Sequence, residues 1–81
     1  MRFYLIDDGS VNIWYEGTLE AAKQKAKDGT RDLMFTRISE IEIATDKANI
    51  LRMLNLEWDK LESQQVRVFE FTQRGGLKEV T

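Results

Sequence analysis

Acidic side chains are the main candidates for chemistry in this sequence of 81 residues, because it contains neither histidine nor cysteine. Three acidic groups are close in sequence: Asp7 with Asp8, Glu40 with Glu42, and Glu57 with Asp59 and Glu62. Paired carboxylates can act as general acid and base or bind a hard cation. The spacing matches no calcium loop, so we interpret these groups as solvated carboxylates that keep a strand edge or face soluble.

Nucleophilic catalysis and transition-metal binding have no support in the sequence. The serines Ser10, Ser39 and Ser63 have no histidine to activate them. The pair Gly75-Gly76 precedes no predicted helix, so no phosphate-binding loop is indicated. Zinc loses its commonest ligands when cysteine and histidine are both absent. The sequence therefore predicts a non-enzymatic protein with no catalytic residue, no metal site and no cofactor.

One basic cluster could contact nucleic acid, and its members are Lys23, Lys25, Lys27 and Arg31. Asp28 and Asp32 lie within it, and the chain as a whole carries a net charge of −2. A nucleic-acid binder normally concentrates positive charge on one surface. A solvated helix face is therefore the preferred interpretation, and a weak nucleic-acid-binding accessory protein is the alternative.

The first predicted element is a β-hairpin, with strands over residues 2–7 and 10–16. Asp8-Gly9 between them suits a two-residue type I′ turn. That register places Ile6 opposite Val11 and Phe3 opposite Trp14. One face then carries Tyr4, Ile6, Val11 and Ile13, which we expect to be core, and the other carries Phe3, Leu5 and Trp14.

Helical spacing predicts a short helix over 19–28, capped by Thr18 and followed by Gly29, and a longer one over about 46–61, capped by Thr45 or Asp46. Strands are predicted over 38–44 and 66–71, with either a bulge near Ser39 or a loop over 33–37. The expected fold is α+β with the order β-β-α-β-α-β: a four-stranded mixed sheet with both helices on one face. Residues 1–72 would form a single domain, and residues 73–81 a loose tail with a short extra pairing by Leu77 and Val80.

An uncovered sheet face follows from placing both helices on one side. Phe3, Trp14, Phe69 and Phe71 are the candidate aromatic contacts on that face, with Glu40 and Glu42 as charged contacts beside them. Such an apolar patch is typical of an interface with another protein or with a second copy in a homodimer. The alternative is that the helices cover this face and that core and surface are interchanged.

Two segments resemble small proteins encoded by phages and mobile elements, some of which are anti-CRISPR or other anti-defence proteins. They are the residues Glu16-Gly17-Thr18-Leu19-Glu20-Ala21-Ala22-Lys23 after the hairpin and the junction Arg37-Ile38-Ser39-Glu40-Ile41-Glu42-Ile43-Ala44-Thr45-Asp46-Lys47. The resemblance implies a non-enzymatic inhibitor that binds a host defence complex by surface complementarity. It carries over no functional residue.

A membrane or secretory role is not expected. The first eight residues, Met1 to Asp8, become acidic too early for the apolar core of a signal peptide, and no apolar run reaches the length of a membrane span. The sequence therefore predicts a cytoplasmic protein, in the host cell if a phage encodes it.

Overall fold

Five strands form a single antiparallel sheet in the computed structural model, which describes residues 1–10, 12–29 and 32–80. The strands are β1 (Arg2–Asp7), β2 (Ile13–Glu16), β3 (Arg37–Ile43), β4 (Ser63–Phe71) and β5 (Leu77–Glu79). Their order across the sheet is β2-β1-β3-β4-β5, and each neighbouring pair is antiparallel. The α+β class is confirmed, whereas the expected four-stranded mixed sheet is wrong. The fifth strand comes from the segment expected to be a loose tail, and the short extra pairing predicted there is confirmed: Leu77 lies opposite Phe71, and the Val80 amide donates to the Val68 carbonyl at 2.9 Å.

Two α-helices connect the strands, α1 (Leu19–Gly29) and α2 (Lys47–Leu54), and short 3-10 turns follow at Leu33–Phe35 and Trp58–Lys60. The predicted cap of α1 is confirmed, since Thr18 Oγ1 accepts a hydrogen bond of 3.1 Å from the Ala21 amide. The second helix is shorter than predicted. It ends because Leu56 adopts a left-handed φ of 58°, which no α-helix accommodates. Within the described residues, neither helix is long and apolar enough to cross a membrane.

The hydrophobic core lies between α1 and one face of the sheet. Small side chains, Ala22 and Ala26, let the helix approach the strands closely, as the sequence predicts. The buried cluster consists of Ile6, Ala22, Ala26, Ile38, Phe69 and Phe71. Its four sheet residues come from the three central strands: Ile6 from β1, Ile38 from β3, and Phe69 and Phe71 from β4. The core beneath α1 therefore joins these three strands.

The second helix does not share this face, so the expectation of two helices on one side is wrong. Its principal contacts, among the described elements, are with the 3-10 turn that follows it rather than with a strand. The buried cluster contains no residue of α2. Because β3 and β4 are antiparallel neighbours, their connection only has to turn around at the sheet end. The helix lies in that turn and projects as an arm, which we define as residues 44–62.

The hairpin register differs from the prediction and changes which side chains face the core. Ile6 lies opposite Trp14 and Leu5 opposite Tyr15, so the loop contains five residues instead of two. Asp8 is the physical reason: its Oδ1 accepts hydrogen bonds from the amide and hydroxyl of Ser10, and its Oδ2 accepts one from the Asn12 side chain. These local bonds stabilise a wider loop than a type I′ turn.

This register shift is an odd number of residues, so it exchanges the two faces of β2. Trp14 packs against the buried cluster, while Ile13 and Tyr15 point away from it and are exposed. The predicted grouping of Trp14 with Phe3 is therefore wrong. Val11, which was expected in the core, lies outside the described residues.

The structure contains both a loop before β3 and a bulge within the sheet, the two alternatives expected for this part of the chain. Residues 33–35 form a 3-10 turn rather than a strand, which confirms the loop alternative. A β-bulge also exists, but it lies between Glu40 and Ile41 rather than near Ser39. Glu40 pairs with Arg67 and Ile41 with Gln65, so Val66 is the extra residue on β4.

Candidate protein-interaction surface

The aromatic residues predicted to form an interface do not lie together. Phe69 and Phe71 are buried in the core beneath α1, and Trp14 is half-buried against the same core. Of the four, Phe3 alone faces the side of the sheet opposite α1. The other three therefore stabilise the fold and do not present anchors to a partner.

Glu40 is fully buried and does not point outward, contrary to the sequence interpretation. Its Oε1 accepts a hydrogen bond of 2.7 Å from Arg2 Nη1, and its Oε2 accepts bonds of 3.0 Å from Tyr4 Oη and 2.7 Å from Arg67 Nη2. The donors come from β1 and β4, the two strands that flank β3. Glu40 is therefore the centre of an internal ion-pair cluster.

The cluster keeps Glu40 ionised. The hydrogen bonds from Arg67, with further contributions from Tyr4 and Arg2, lower the pKa of Glu40 although burial acts in the opposite direction. Burial and the hydrogen bond to Glu40 raise the pKa of Tyr4, so its hydroxyl remains a donor. Arg67 Nε donates a fourth hydrogen bond, of 3.3 Å, to Glu40 Oε1. A carboxylate has about four acceptor sites, so none is left here for a substrate or a metal ion.

Glu42 is half-exposed and has partners of its own. The terminal ammonium of Met1 lies 2.9 Å from Glu42 Oε1, and Arg2 Nε lies 3.1 Å from Oε2. The hydrogen bond from this ammonium group lowers the pKa of Glu42. Its charge is therefore balanced within the chain, which weakens its candidacy as a contact for a partner.

The lysines of the basic cluster do not share one side of α1. Lys23 and Lys27 are four residues apart and lie on one flank of the buried stripe of Ala22 and Ala26, while Lys25 lies on the other flank. Asp28 is exposed on the outer side of the helix and accepts a hydrogen bond from Gln24. Arg31 lies outside the described residues. The nucleic-acid alternative stays a prediction without a concentrated basic surface on this helix.

An apolar groove of about 650 Å³ occupies the opposite side of the molecule. One wall belongs to the hairpin, the other to the arm, and the floor to the ends of β3 and β4. The lining residues are Phe3, Ile13, Tyr15, Met53, Trp58, Leu61, Ile43 and Ser63. We refer to this feature as the groove. Among the described residues that line it, only Tyr15, Trp58 and Ser63 have polar side-chain atoms, so it is suited to apolar contact rather than to catalysis.

The outer side of α2 is a second apolar surface without cover. Ile50 and Leu54 are four residues apart and Leu51 lies beside them, so the three form one stripe on the helix. All three are exposed, and Leu54 retains 73% of its accessible surface. Asn49 and Met53 lie on the other side of the helix, toward the protein. We refer to Ile50, Leu51 and Leu54 as the outer stripe.

A single side chain fixes the arm to the end of the sheet. Asn49 is fully buried; its Nδ2 donates to the carbonyls of Ala44 at 2.6 Å and Glu62 at 3.2 Å, and its Oδ1 accepts from the Glu62 amide at 2.7 Å. These bonds join the first and last segments of the arm. The outer stripe is therefore presented by a fastened element, not by a loose loop.

Sequence reasoning missed Ile13, Tyr15, Met53 and Trp58 as surface residues. The first two were missed because the hairpin register was assigned from Asp8-Gly9. Trp58 falls within the single helix predicted over about 46–61, because its spacing from Leu54 is helical. The turn at Asn55 and Leu56, which separates Trp58 from α2, has no glycine or proline to mark it.

Comparison of the chain with protein-family models, with curated proteins and with solved structures finds no match.

Proposed function

We propose that this chain is a non-enzymatic protein-binding module whose binding surface is the groove together with the outer stripe. The observation that carries the proposal is the pair of apolar surfaces, one on each side of α2, that the fold leaves uncovered. Tyr15, Trp58 and Leu54 are 62%, 59% and 73% exposed on or beside them. A single chain in water seldom leaves so many large apolar side chains uncovered in one region.

The composition of this surface matches that of protein interfaces. Tyrosine, tryptophan and methionine are enriched at the buried centre of interfaces, and charged residues are depleted there. The groove supplies Tyr15, Trp58 and Met53, and none of its lining residues is charged. Tyr15 and Trp58 are also the residue types that most often dominate binding energy.

The class of partner expected from the resemblance, a host defence complex, remains a proposal that rests on the resemblance alone. The open surface supports protein binding without choosing among partners. Apolar contact also distinguishes this proposal from nucleic-acid binding, because association through phosphates weakens steeply with salt.

The test is capture of partners by the tagged chain from extracts of the cells that produce it. We expect the wild-type chain to retain a stoichiometric protein in roughly 1 M salt, because surface ion pairs are screened at that ionic strength. Tyr15→Lys should abolish retention by placing a charge in the groove. Proteins retained by both chains are discounted as background.

Met34→Lys is the matched control, because Met34 is an exposed apolar side chain that does not line the groove. It changes the net charge by the same amount and should leave retention intact. Loss of retention in both variants would indicate a charge effect and contradict the proposal. Absence of any groove-dependent protein, including a second copy of the chain, would also contradict it.

A further inference from the structure

We infer that the occupant of the groove is a second copy of this chain. Two copies dock reciprocally, so that the outer stripe of each chain enters the groove of the other. This inference rests on the protein-binding function proposed above and names its partner. The chain carries both halves of the contact: a concave apolar groove and, on the adjoining helix, a convex apolar stripe. A second copy presents both surfaces at once, so a single two-fold contact would cover the groove and the outer stripe of each chain.

The exposed area agrees with what one subunit contributes to a stable dimer. Seven large apolar side chains on the groove and the arm are between 42% and 73% exposed: Ile13, Tyr15, Ile50, Leu51, Leu54, Leu56 and Trp58. A specific interface takes about 800 Å² from each partner. Tyr15 and Trp58, at roughly 150–250 Å² for a fully buried aromatic side chain, supply part of that share, and the five exposed aliphatic side chains add to it.

The arm cannot remove this surface by folding back on its own chain. Asn49 ties the carbonyl of Ala44 to the backbone of Glu62, and Met53 already occupies the side of the helix toward the groove. Turning the outer stripe inward would expose Met53 and break the bonds of a fully buried amide. Cover for the stripe therefore has to come from another molecule.

The charges beside the outer stripe permit two copies to approach. On the arm, Lys60 pairs with Glu57 at 3.4 Å and Arg52 with Glu62 at 3.9 Å. Over its whole length the arm carries three basic residues and four acidic ones, a net charge of −1 from Lys47, Arg52, Lys60, Asp46, Glu57, Asp59 and Glu62. Lys47 lies one turn from Ile50 and Leu51 on the same side of α2. The small net charge keeps like-charge repulsion between two arms weak. Because the same contact is made twice about a two-fold axis, the assembly closes as a dimer and does not extend into a fibre.

The first measurement is sedimentation equilibrium of the purified chain over a range of concentrations. We expect a dimer for the wild-type chain and for Met34→Asp, whose substituted side chain lies outside the proposed contact. Leu54→Asp on the outer stripe and Ile13→Lys in the groove should each raise the dimer dissociation constant at least a hundredfold, because each charge is buried twice. Both positions are more than half exposed, so circular dichroism should show the wild-type fold.

Mixing the two variants that fail to dimerise tests whether each outer stripe enters the groove of the other chain. A mixed dimer of Leu54→Asp with Ile13→Lys has one wild-type contact and one contact in which the two new charges are opposite. Each variant alone has two contacts that bury an unpaired charge. The mixture should therefore form dimers at a concentration at which each variant alone is monomeric.

Three results would overturn the inference: a monomeric wild-type chain, a wild-type affinity in both variants, or a mixture that stays monomeric although the wild type is dimeric. If a variant loses the fold, Ile50→Asp replaces Leu54→Asp, or Tyr15→Lys replaces Ile13→Lys. A monomeric chain that still captures a different protein through the groove would overturn the dimer and leave the proposed function standing. A monomeric chain that captures nothing would overturn both.

Discussion

At the scale of single residues, the ion-pair cluster around Glu40 is the most demanding feature of the fold. A buried carboxylate costs free energy to desolvate, and only well-placed donors offset that cost. Here Arg2, Arg67 and Tyr4 provide them, and each extends its side chain across the sheet from a neighbouring strand. The two arginines remain half-exposed, so the cluster is a cap over one buried charge rather than a fully internal network.

The cluster predicts how stability depends on pH. Since the pKa of Glu40 is lowered in the folded state, the unfolded chain takes up the proton first as pH falls. The stabilisation is therefore present above the ordinary glutamate pKa and is lost as the pH falls from about 5 toward 3. Glu40→Gln should lower the free energy of unfolding by about 2–4 kcal/mol at pH 7, and this deficit should shrink at low pH. Urea unfolding of both proteins across that range measures it.

The comparison isolates Glu40 because Asp8 and Glu42, whose pKa values are also lowered, are present in both proteins. Glu70→Gln is the control, since Glu70 forms an ion pair with Arg37 at 2.8 Å but is not fully buried. Its effect at pH 7 should stay below about 1 kcal/mol. A Glu40→Gln deficit that does not change between pH 7 and pH 3 would rule out an ionised Glu40 as the source of stability.

At the scale of elements, the arm is an inserted unit whose two ends are joined by the side chain of Asn49 and by a backbone hydrogen bond of 3.3 Å from the Ala44 amide to the Glu62 carbonyl. Asn49 is both the first buried residue of α2 and the bridge between the two segments that enter and leave the sheet. Elements with few apolar contacts to the core generally open more easily than the core itself. The arm should therefore be the first element to lose protection against amide hydrogen exchange when the side chain of Asn49 is removed.

Asn49→Ala tests this dependence. It leaves the carbonyl of Ala44 and the amide of Glu62 without their partner, and each net hydrogen bond contributes about 1 kcal/mol. Amide hydrogen exchange within α2 should accelerate by roughly tenfold to a hundredfold, while exchange in β1 and β3 changes much less.

Asn55→Ala is the matched control, because Asn55 is an exposed asparagine directly after the same helix. It should leave exchange in α2 within about 0.5 kcal/mol of wild type. Alanine has a higher helix propensity than asparagine, so faster exchange cannot result from propensity. Equal acceleration in both variants would therefore show that the hydrogen bonds of Asn49 do not hold the arm.

Prediction from sequence succeeded where the determinants were local. The cap at Thr18 and the buried stripe of Ala22 and Ala26 can be predicted because each depends only on residues a few positions apart. The prediction of the hairpin register failed because the side chain of Asp8 accepts hydrogen bonds from Ser10 and Asn12. These bonds stabilise a wider loop than the type I′ turn that Asp8-Gly9 favours. Glu40 was assigned to the surface because its donors are 27 to 38 residues away in the chain. The open apolar face was predicted, but the residues that form it were mostly not.

At the scale of the whole molecule, the chain is longer than a compact domain of its size. Its radius of gyration is 13.5 Å and its extents are 42 × 22 × 18 Å. Compact domains of this length have a radius of gyration of about 11.7 Å. The groove lies between the arm and the hairpin, which both line it.

The two tryptophans allow occupancy of the groove to be observed directly. Trp58 lines the groove and is exposed, whereas Trp14 is half-buried against the core. In Trp14→Phe, the emission of Trp58 should shift to shorter wavelength and resist iodide quenching as the protein concentration rises. In Trp58→Phe, the emission of Trp14 should not depend on concentration. A concentration-independent Trp58 signal in a dimeric protein would show that the dimer uses another surface.

The position of Glu40 also bears on how the strands find their correct alignment. Both sides of β3 are apolar, with Ile38 toward the core and Ile41 and Ile43 away from it, so hydrophobicity alone barely distinguishes the two ways of laying this strand down. A slip by one residue would move Glu40 to the groove side, away from the Tyr4 and Arg67 donors that face it across β1 and β4. Such a slip would leave the ionised Glu40 without hydrogen-bond donors among apolar side chains. Glu40 thus favours the observed register of β3 over a slip by one residue, because only this register gives its charge the donors from β1 and β4.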